Sequence, residues 1–112
     1  MQPAKLNVET LQAYLRDLYE GKVGEQSLFM KLVEEMGEVA EVLNKRSGRK
    51  AAQGQNLEQQ LGEELADLIH YTVAIAAVND LDLSGIILEK DRKASEKYHR
   101  ESTLTDYLGK EE

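Results

Sequence analysis

The stretch LADLIHYTVAIAAV, from Leu65 to Val78, does most to limit what this chain can become. After Asp67 it is apolar on nearly every side of a helix, through Leu68, Ile69, Val73, Ala74, Ile75, Ala76, Ala77 and Val78. A helix of that kind must be covered all round. It contains Asp67 and His70 and falls short of the roughly 18 apolar residues that a membrane span needs, so it reads as a core helix. The chain has 112 residues, which suggests one domain. A domain of that size buries a modest share of its surface, so its own short helices would struggle to cover this one. The expectation is a homo-oligomer, a homodimer or homotetramer, whose interface includes this helix.

Helical signals run almost the whole length. Asn7 is placed to cap a first helix, about Val8 to Glu20, with Leu11, Leu15 and Leu18 on one face. The stretch GKVGEQ interrupts it, and Ser27 is expected to cap a second helix to about Lys45. A polar loop, Arg46 to Gln55, leads to Asn56, the expected cap of a third helix from Leu57 to about Asn79. Asp80 to Asp82 turn the chain into a fourth helix, about Leu83 to Arg100. No strand pattern or repeat is visible. The fold expected is all-α, a four-helix bundle. Residues 1–100 read as a single helical domain, and residues 101–112 as a C-terminal tail whose Leu104, Tyr107 and Leu108 are able to dock on a neighbouring subunit.

Composition narrows the function. A net charge of -7 argues against a broad surface for nucleic-acid polymers, but not against one small phosphorylated ligand held through metal ions. The absence of cysteine excludes disulfides and thiolate metal sites and suits a reducing, cytoplasmic setting. The N-terminus lacks the pattern of a signal peptide, and no membrane partner is expected.

Against this background the acids of KLVEEMGEVAEVLNK, Lys31 to Lys45, are out of place. At about 100° per residue, Glu35 falls inside the apolar arc of Leu28, Leu32, Met36, Val39, Val42 and Leu43, with Glu38 at its edge. Glu34 and Glu41 lie further round, toward solvent. On the third helix Glu64 and Asp67 share a face with Tyr71, Ile75 and Val78. Each pair has i, i+3 spacing, which brings its carboxylates together. Glu38 and Glu64 are equally far from the ends of their helices, and so are Glu35 and Asp67; antiparallel packing would bring all four to one height. Gly37 and Ala66, inside the two motifs, would let a helix or a ligand come close.

Four carboxylates in a partly buried space repel one another, so either protons or cations must neutralise them. An all-oxygen set suits Mg2+, with Mn2+ as a substitute, and does not suit zinc. Ordinary solvated glutamates are the competing reading, as is a di-iron carboxylate bundle, although that site calls for Glu-x-x-His and Asp67 stands where its histidine would be.

The pair EEMGE (Glu34 to Glu38) and EELAD (Glu63 to Asp67) resembles the two-part motif of the MazG-like nucleotide pyrophosphohydrolases, of the all-α NTP pyrophosphatase superfamily. The likeness is best from about Leu28 to Val78 and continues more weakly to Tyr98. It implies an oligomeric four-helix bundle that hydrolyses a nucleoside triphosphate to the monophosphate and pyrophosphate. By position Glu35, Glu38, Glu64 and Asp67 correspond to the family's magnesium ligands. Glu34, the first acid of the motif, becomes a candidate to orient or deprotonate the attacking water, and Glu34 and Glu38 are the expected catalytic acids. Tyr71 matches a tyrosine of the dCTP-pyrophosphatase-like branch; its other reading is a core tyrosine. Lys90, Lys97 and Tyr98 fit a basic pattern of the fourth helix, but Ala94 stands where family members carry asparagine. The dCTP-type enzymes place tryptophans around the base. This chain has none, and Lys45 falls near one such position, so the base preference stays open.

Basic residues expected near the phosphates are Lys31, one turn before Glu35, for which an i, i+4 ion pair is an equal alternative, and the cluster Lys45, Arg46, Arg49 and Lys50, for any one of which solvated loop charge is the more common explanation. His70 and His99 fit no ligand pattern and read as structural or exposed. Two further functions compete with the first, a phosphoribosyl-ATP pyrophosphatase and a non-catalytic helical interaction module.

Overall fold

The computed structural model describes residues 5–48 and 56–110. Every regular element among them is helical: α1 (Val8–Tyr19), α2 (Glu25–Arg46), α3 (Leu57–Val78), α4 (Leu83–Lys97) and α5 (Leu104–Gly109). The all-α fold and the order of its four long helices are those expected from the sequence. Arg49 and Lys50 lie outside the described residues. None of the described helices is by itself long and apolar enough to cross a membrane. The chain divides into two units, the first ending at Leu81 and the second beginning at Asp82.

In the first unit α3 is the central element, with α1 and α2 both packed against it. Burial on α3 is concentrated near its C-terminus, at Val73, Ala74, Ala76 and Ala77, where small side chains let the neighbouring helices approach closely. Leu15 of α1 and Leu28 of α2 are almost wholly buried; each contributes about 2–3 kcal/mol by leaving water. The expected face of α1 holds in part, with Leu15 buried, Leu11 half-buried and Leu18 exposed. Coverage of α3 is incomplete within the unit, since Leu65 and Ile69 are exposed, Ile69 at 55%.

The helix ends follow local chemistry. Asn7 Oδ1 accepts the Thr10 N–H at 2.8 Å, and Asn56 Oδ1 accepts the Gln59 N–H at 3.0 Å, so both predicted caps are present. α1 stops at Tyr19 because the chain turns through Gly21, whose φ of 75° is cheap only for glycine. Ser27 is not a cap: α2 begins earlier, after Gly24, whose extended backbone accepts the Leu28 N–H. This start places Glu25 in the first turn, where the helix dipole favours a carboxylate, and Glu25 also accepts from Asn79 Nδ2 at 2.8 Å. At the end of α3 the Leu81 N–H returns to Ala76 O and the Asp80 N–H to Ala77 O, a Schellman closure with Asp80 at φ 53°. Arg16 pairs with Asp80 at 3.1 Å and Gln12 donates to Leu81 O, which ties α1 to this corner and sets it antiparallel to α3.

In the second unit Asp82 caps α4 by accepting the Gly85 N–H at 3.1 Å. A β-carbon on Gly85 would collide with that carboxylate. α4 ends at Lys97, three residues before the expected Arg100, through a second Schellman closure: Arg100 N–H to Ser95 O and His99 N–H to Glu96 O, with His99 at φ 56°. Residues 104–109 form a short helix opened by a capping box of Thr103 and Asp106. The Leu104 N–H donates to Asp91 of α4 at 2.6 Å, and Arg100 also reaches Asp91, at 3.7 Å.

Candidate metal centre

The buried residues of α2 are Leu28, Glu35 and Val42, spaced by seven. That is the spacing of a seam facing one partner helix. An acid therefore occupies the middle position of a seam whose other members are aliphatic, and it is 8% exposed against 1% for Leu28 and 6% for Val42. The sequence placed Glu35 in the apolar arc, and it belongs there. Two members of that arc do not: Met36 and Leu43 are exposed, because α3 covers a narrower strip of α2 than the apolar pattern occupies.

Opposite Glu35, α3 presents Glu64 and Asp67. One carboxylate oxygen from each of these three residues lies within 4.8 Å of the other two. Burial is graded across the cluster, with Glu35 buried, Glu64 half-buried and Asp67 exposed, so it opens from the seam toward solvent. Glu38, exposed and one turn beyond Glu35, stands outside this set of three but close enough to act on Glu64. The expected convergence of the two helical motifs is thus present, with Glu38 at its rim.

Lys31, one turn before Glu35, acts on it electrostatically, but its ammonium is bonded to Glu34. Glu35 Oε2 and Glu64 Oε2 are buried without a hydrogen-bond partner. Ionised carboxylates are acceptors only, so they cannot satisfy one another. A shared proton relieves this: the Glu64 carboxyl is pushed up to about 7 from 4.5, first by Glu35, then by Glu38, with burial adding to both. Orphaned buried oxygens in an all-oxygen set are what a hard divalent cation would satisfy, and the residues fit Mg2+ or Mn2+.

Around the carboxylates the structure sorts the other candidates. Glu34 is exposed and accepts from Lys31 Nζ at 3.3 Å, an i, i+3 pair that raises the lysine's pKa, chiefly through the bond to Glu34. Tyr71 is half-buried one turn beyond Asp67 and lies near enough to act on Lys31. Lys45 is half-buried and Arg46 exposed, both in the last turn of α2, where cations suit the helix dipole. Lys90, Lys97 and Tyr98 belong to the second unit; all three are exposed, and Lys97 Nζ stands 5.4 Å from the centre of the Tyr98 ring. Gly37 does not serve a close contact among the described residues, since a β-carbon there would meet none of them within 4 Å. His70 is half-buried and bonded to Tyr19, Oη to Nε2 at 2.7 Å. Tyr19 escaped the sequence reading, because nothing in the chain order announces that the end of α1 meets the middle of α3.

Residues 23–102, most of the chain, match the MazG nucleotide pyrophosphohydrolase domain. The fold is similar to the crystal structure of iMazG from Vibrio DAT 722, with a TM-score of 0.64 and 25% identity over 85% of this chain and 100% of that one. No curated protein matches the sequence. Both carboxylate motifs lie inside the matched segment, and the chain belongs to the MazG nucleotide pyrophosphohydrolase domain family.

Proposed function

We propose that the protein is a Mg2+-dependent hydrolase of a nucleoside or deoxynucleoside triphosphate, releasing the monophosphate and pyrophosphate in the cytoplasm. The observation that carries this reading is the buried, unpartnered oxygen of Glu35 converging with the carboxylates of Glu64 and Asp67. Glu35, Glu38, Glu64 and Asp67 would hold the metal. Magnesium, when bound, supplies positive charge to the polyphosphate and lowers the pKa of nearby water.

The residues divide the remaining work. Water oxygen bonds to the α-phosphorus as the bond to the bridging oxygen breaks, and pyrophosphate leaves. Glu34, outside the buried cluster, is the acid free of ligand duty to take the water's proton, and Lys31 holds it in place. Glu38 at the rim orients that water. Lys31 and Tyr71 reach the phosphates from one end of the cluster. Lys45 and Arg46 offer charge at the far end of α2. Lys90, Lys97 and Tyr98 are proposed as further substrate contacts.

Self-association is part of the proposal. Phe29, Val33, Met36 and Leu43 form an exposed apolar stripe along α2, and Leu65 and Ile69 add exposed apolar surface on α3. A homodimer or homotetramer would cover them.

The test is pyrophosphate release from a panel of canonical and modified nucleoside triphosphates, with and without Mg2+. Release that requires Mg2+ and disappears in Glu35→Gln is expected. Release from phosphoribosyl-ATP alone would replace this reading with the histidine-pathway relative. No Mg2+ binding by calorimetry, together with no release, would leave the interaction module.

A further inference from the structure

The cluster of Tyr19, His70 and Tyr71 has no place in the hydrolytic scheme above except through Tyr71. Its geometry is specific. The Tyr19 hydroxyl and His70 Nε2 are 2.7 Å apart, a contact that either neutral tautomer of the imidazole satisfies. The two rings meet edge to face, with centres 5.7 Å apart at 85°. On its other side the imidazole meets the Tyr71 ring at 4.8 Å and 69°. Tyr19 is the last residue of α1, and His70 and Tyr71 are neighbours on α3, one turn beyond Asp67.

Adjacent helical residues do not face each other, and His70 reaches Tyr71 only because its ring is turned and held. The hold comes from α1. Aromatic rings that meet edge to face attract one another beyond burial alone, which favours one ring orientation over its alternatives. A hydrogen-bond donor aimed at a phosphate oxygen gains from being set before substrate arrives.

We propose that His70 is a positioning residue: anchored by the Tyr19 hydroxyl and packed edge-on against Tyr71, it fixes the Tyr71 ring one turn beyond Asp67, where its phenol would serve the substrate phosphates. The functional half of this proposal rests on the pyrophosphohydrolase reading; the placement of the ring does not.

Two measurements test it separately. The chain has five tyrosines, so 3-fluorotyrosine labelling gives a short fluorine spectrum in which Tyr71→Phe and Tyr19→Phe assign two lines. His70→Leu is expected to shift or broaden the Tyr71 line, and Tyr19→Phe to do so more weakly. A Tyr71 line unchanged in both variants overturns the positioning. In turnover, His70→Leu should lower kcat/KM about tenfold, as a small misplacement does, and should cost nothing further in a Tyr71→Phe background. Equal losses in the two backgrounds overturn the claim that His70 acts through Tyr71. If His70→Leu does not fold, His70→Gln, which keeps a partner for the Tyr19 hydroxyl, takes its place, with the same two outcomes deciding. A wild-type protein that releases no pyrophosphate sinks the enzymatic reading instead, and the fluorine spectrum still decides the placement.

Discussion

Two sets of acids sit at helical spacing in this protein, and they meet different fates. On α4, Glu89 and Glu96 flank Arg92, which donates to Glu89 at 2.8 Å and to Glu96 at 3.3 Å. All three are exposed, and the bond to Arg92 lowers the pKa of Glu89. On α2 and α3, Glu35, Glu64 and Asp67 face one another, two of their oxygens are buried and unpartnered, and Glu64 is driven the other way, up to about 7. The chemistry of the residues is the same. Burial and the crowding of like charges make one set a candidate site and leave the other a solvated face.

The sharpest test of that contrast is activity. Glu35→Gln, Glu64→Gln and Asp67→Asn should each cut Mg2+-dependent pyrophosphate release by more than ~100-fold, whereas Glu89→Gln should leave it at the wild-type rate. A large loss in the α4 variant would erase the distinction.

The next effect is on stability. Leu28→Ala, at a fully packed seam position, should cost about 2–5 kcal/mol in denaturant unfolding. Glu35→Leu, at the neighbouring seam position, should move metal-free stability the opposite way or leave it unchanged, by about 0–4 kcal/mol, because it replaces a buried acid with the residue type the seam otherwise uses. Its activity should be lost. Destabilisation comparable to Leu28→Ala would mean that Glu35 is a structural partner and not a strained one.

A smaller effect is expected with pH. The folded state holds Glu64 at about 7 against an ordinary 4.5, so folding favours the protonated form. The resulting stabilisation is fully present below about pH 4.5 and is lost as pH rises through about 7. From this group, metal-free protein should melt at a higher temperature at pH 6 than at pH 8. Saturating Mg2+ should stabilise more at pH 8, since the cation must displace the proton. Glu64→Gln should flatten both trends.

The smallest effect belongs to the helix ends. His99 occupies a left-handed position usually given to glycine, so His99→Gly should stabilise the second unit by about 1 kcal/mol. Gly85→Ala should destabilise it by about as much, by displacing the Asp82 cap. Thermal melts of both variants check this, and neither change should reach the carboxylate cluster's affinity for Mg2+.

Much of the fold was legible in the chain because its causes are local. The asparagine caps at Asn7 and Asn56, the helical period and the turn at Asp80 to Asp82 act within a few residues of themselves. Where local signals competed, the reading slipped. Ser27 is a better cap by residue type than Gly24, yet Gly24 begins α2 because the chain leaving α1 is already extended there. The capping box at Thr103 was missed inside a polar tail because the helix it opens is only six residues long.

The site divides along the same line. Sequence alone determined that Glu35 lies in an apolar arc and that Glu64 and Asp67 share a face, since helix geometry turns spacing directly into direction. Only the tertiary structure decided that α3 covers a strip of α2 narrow enough to bury Glu35 and expose Met36, that Glu38 stands at the rim, and that Tyr19 of α1 reaches His70. Those facts depend on where one helix axis lies against another, and a helix repeats its own geometry without encoding its neighbour's.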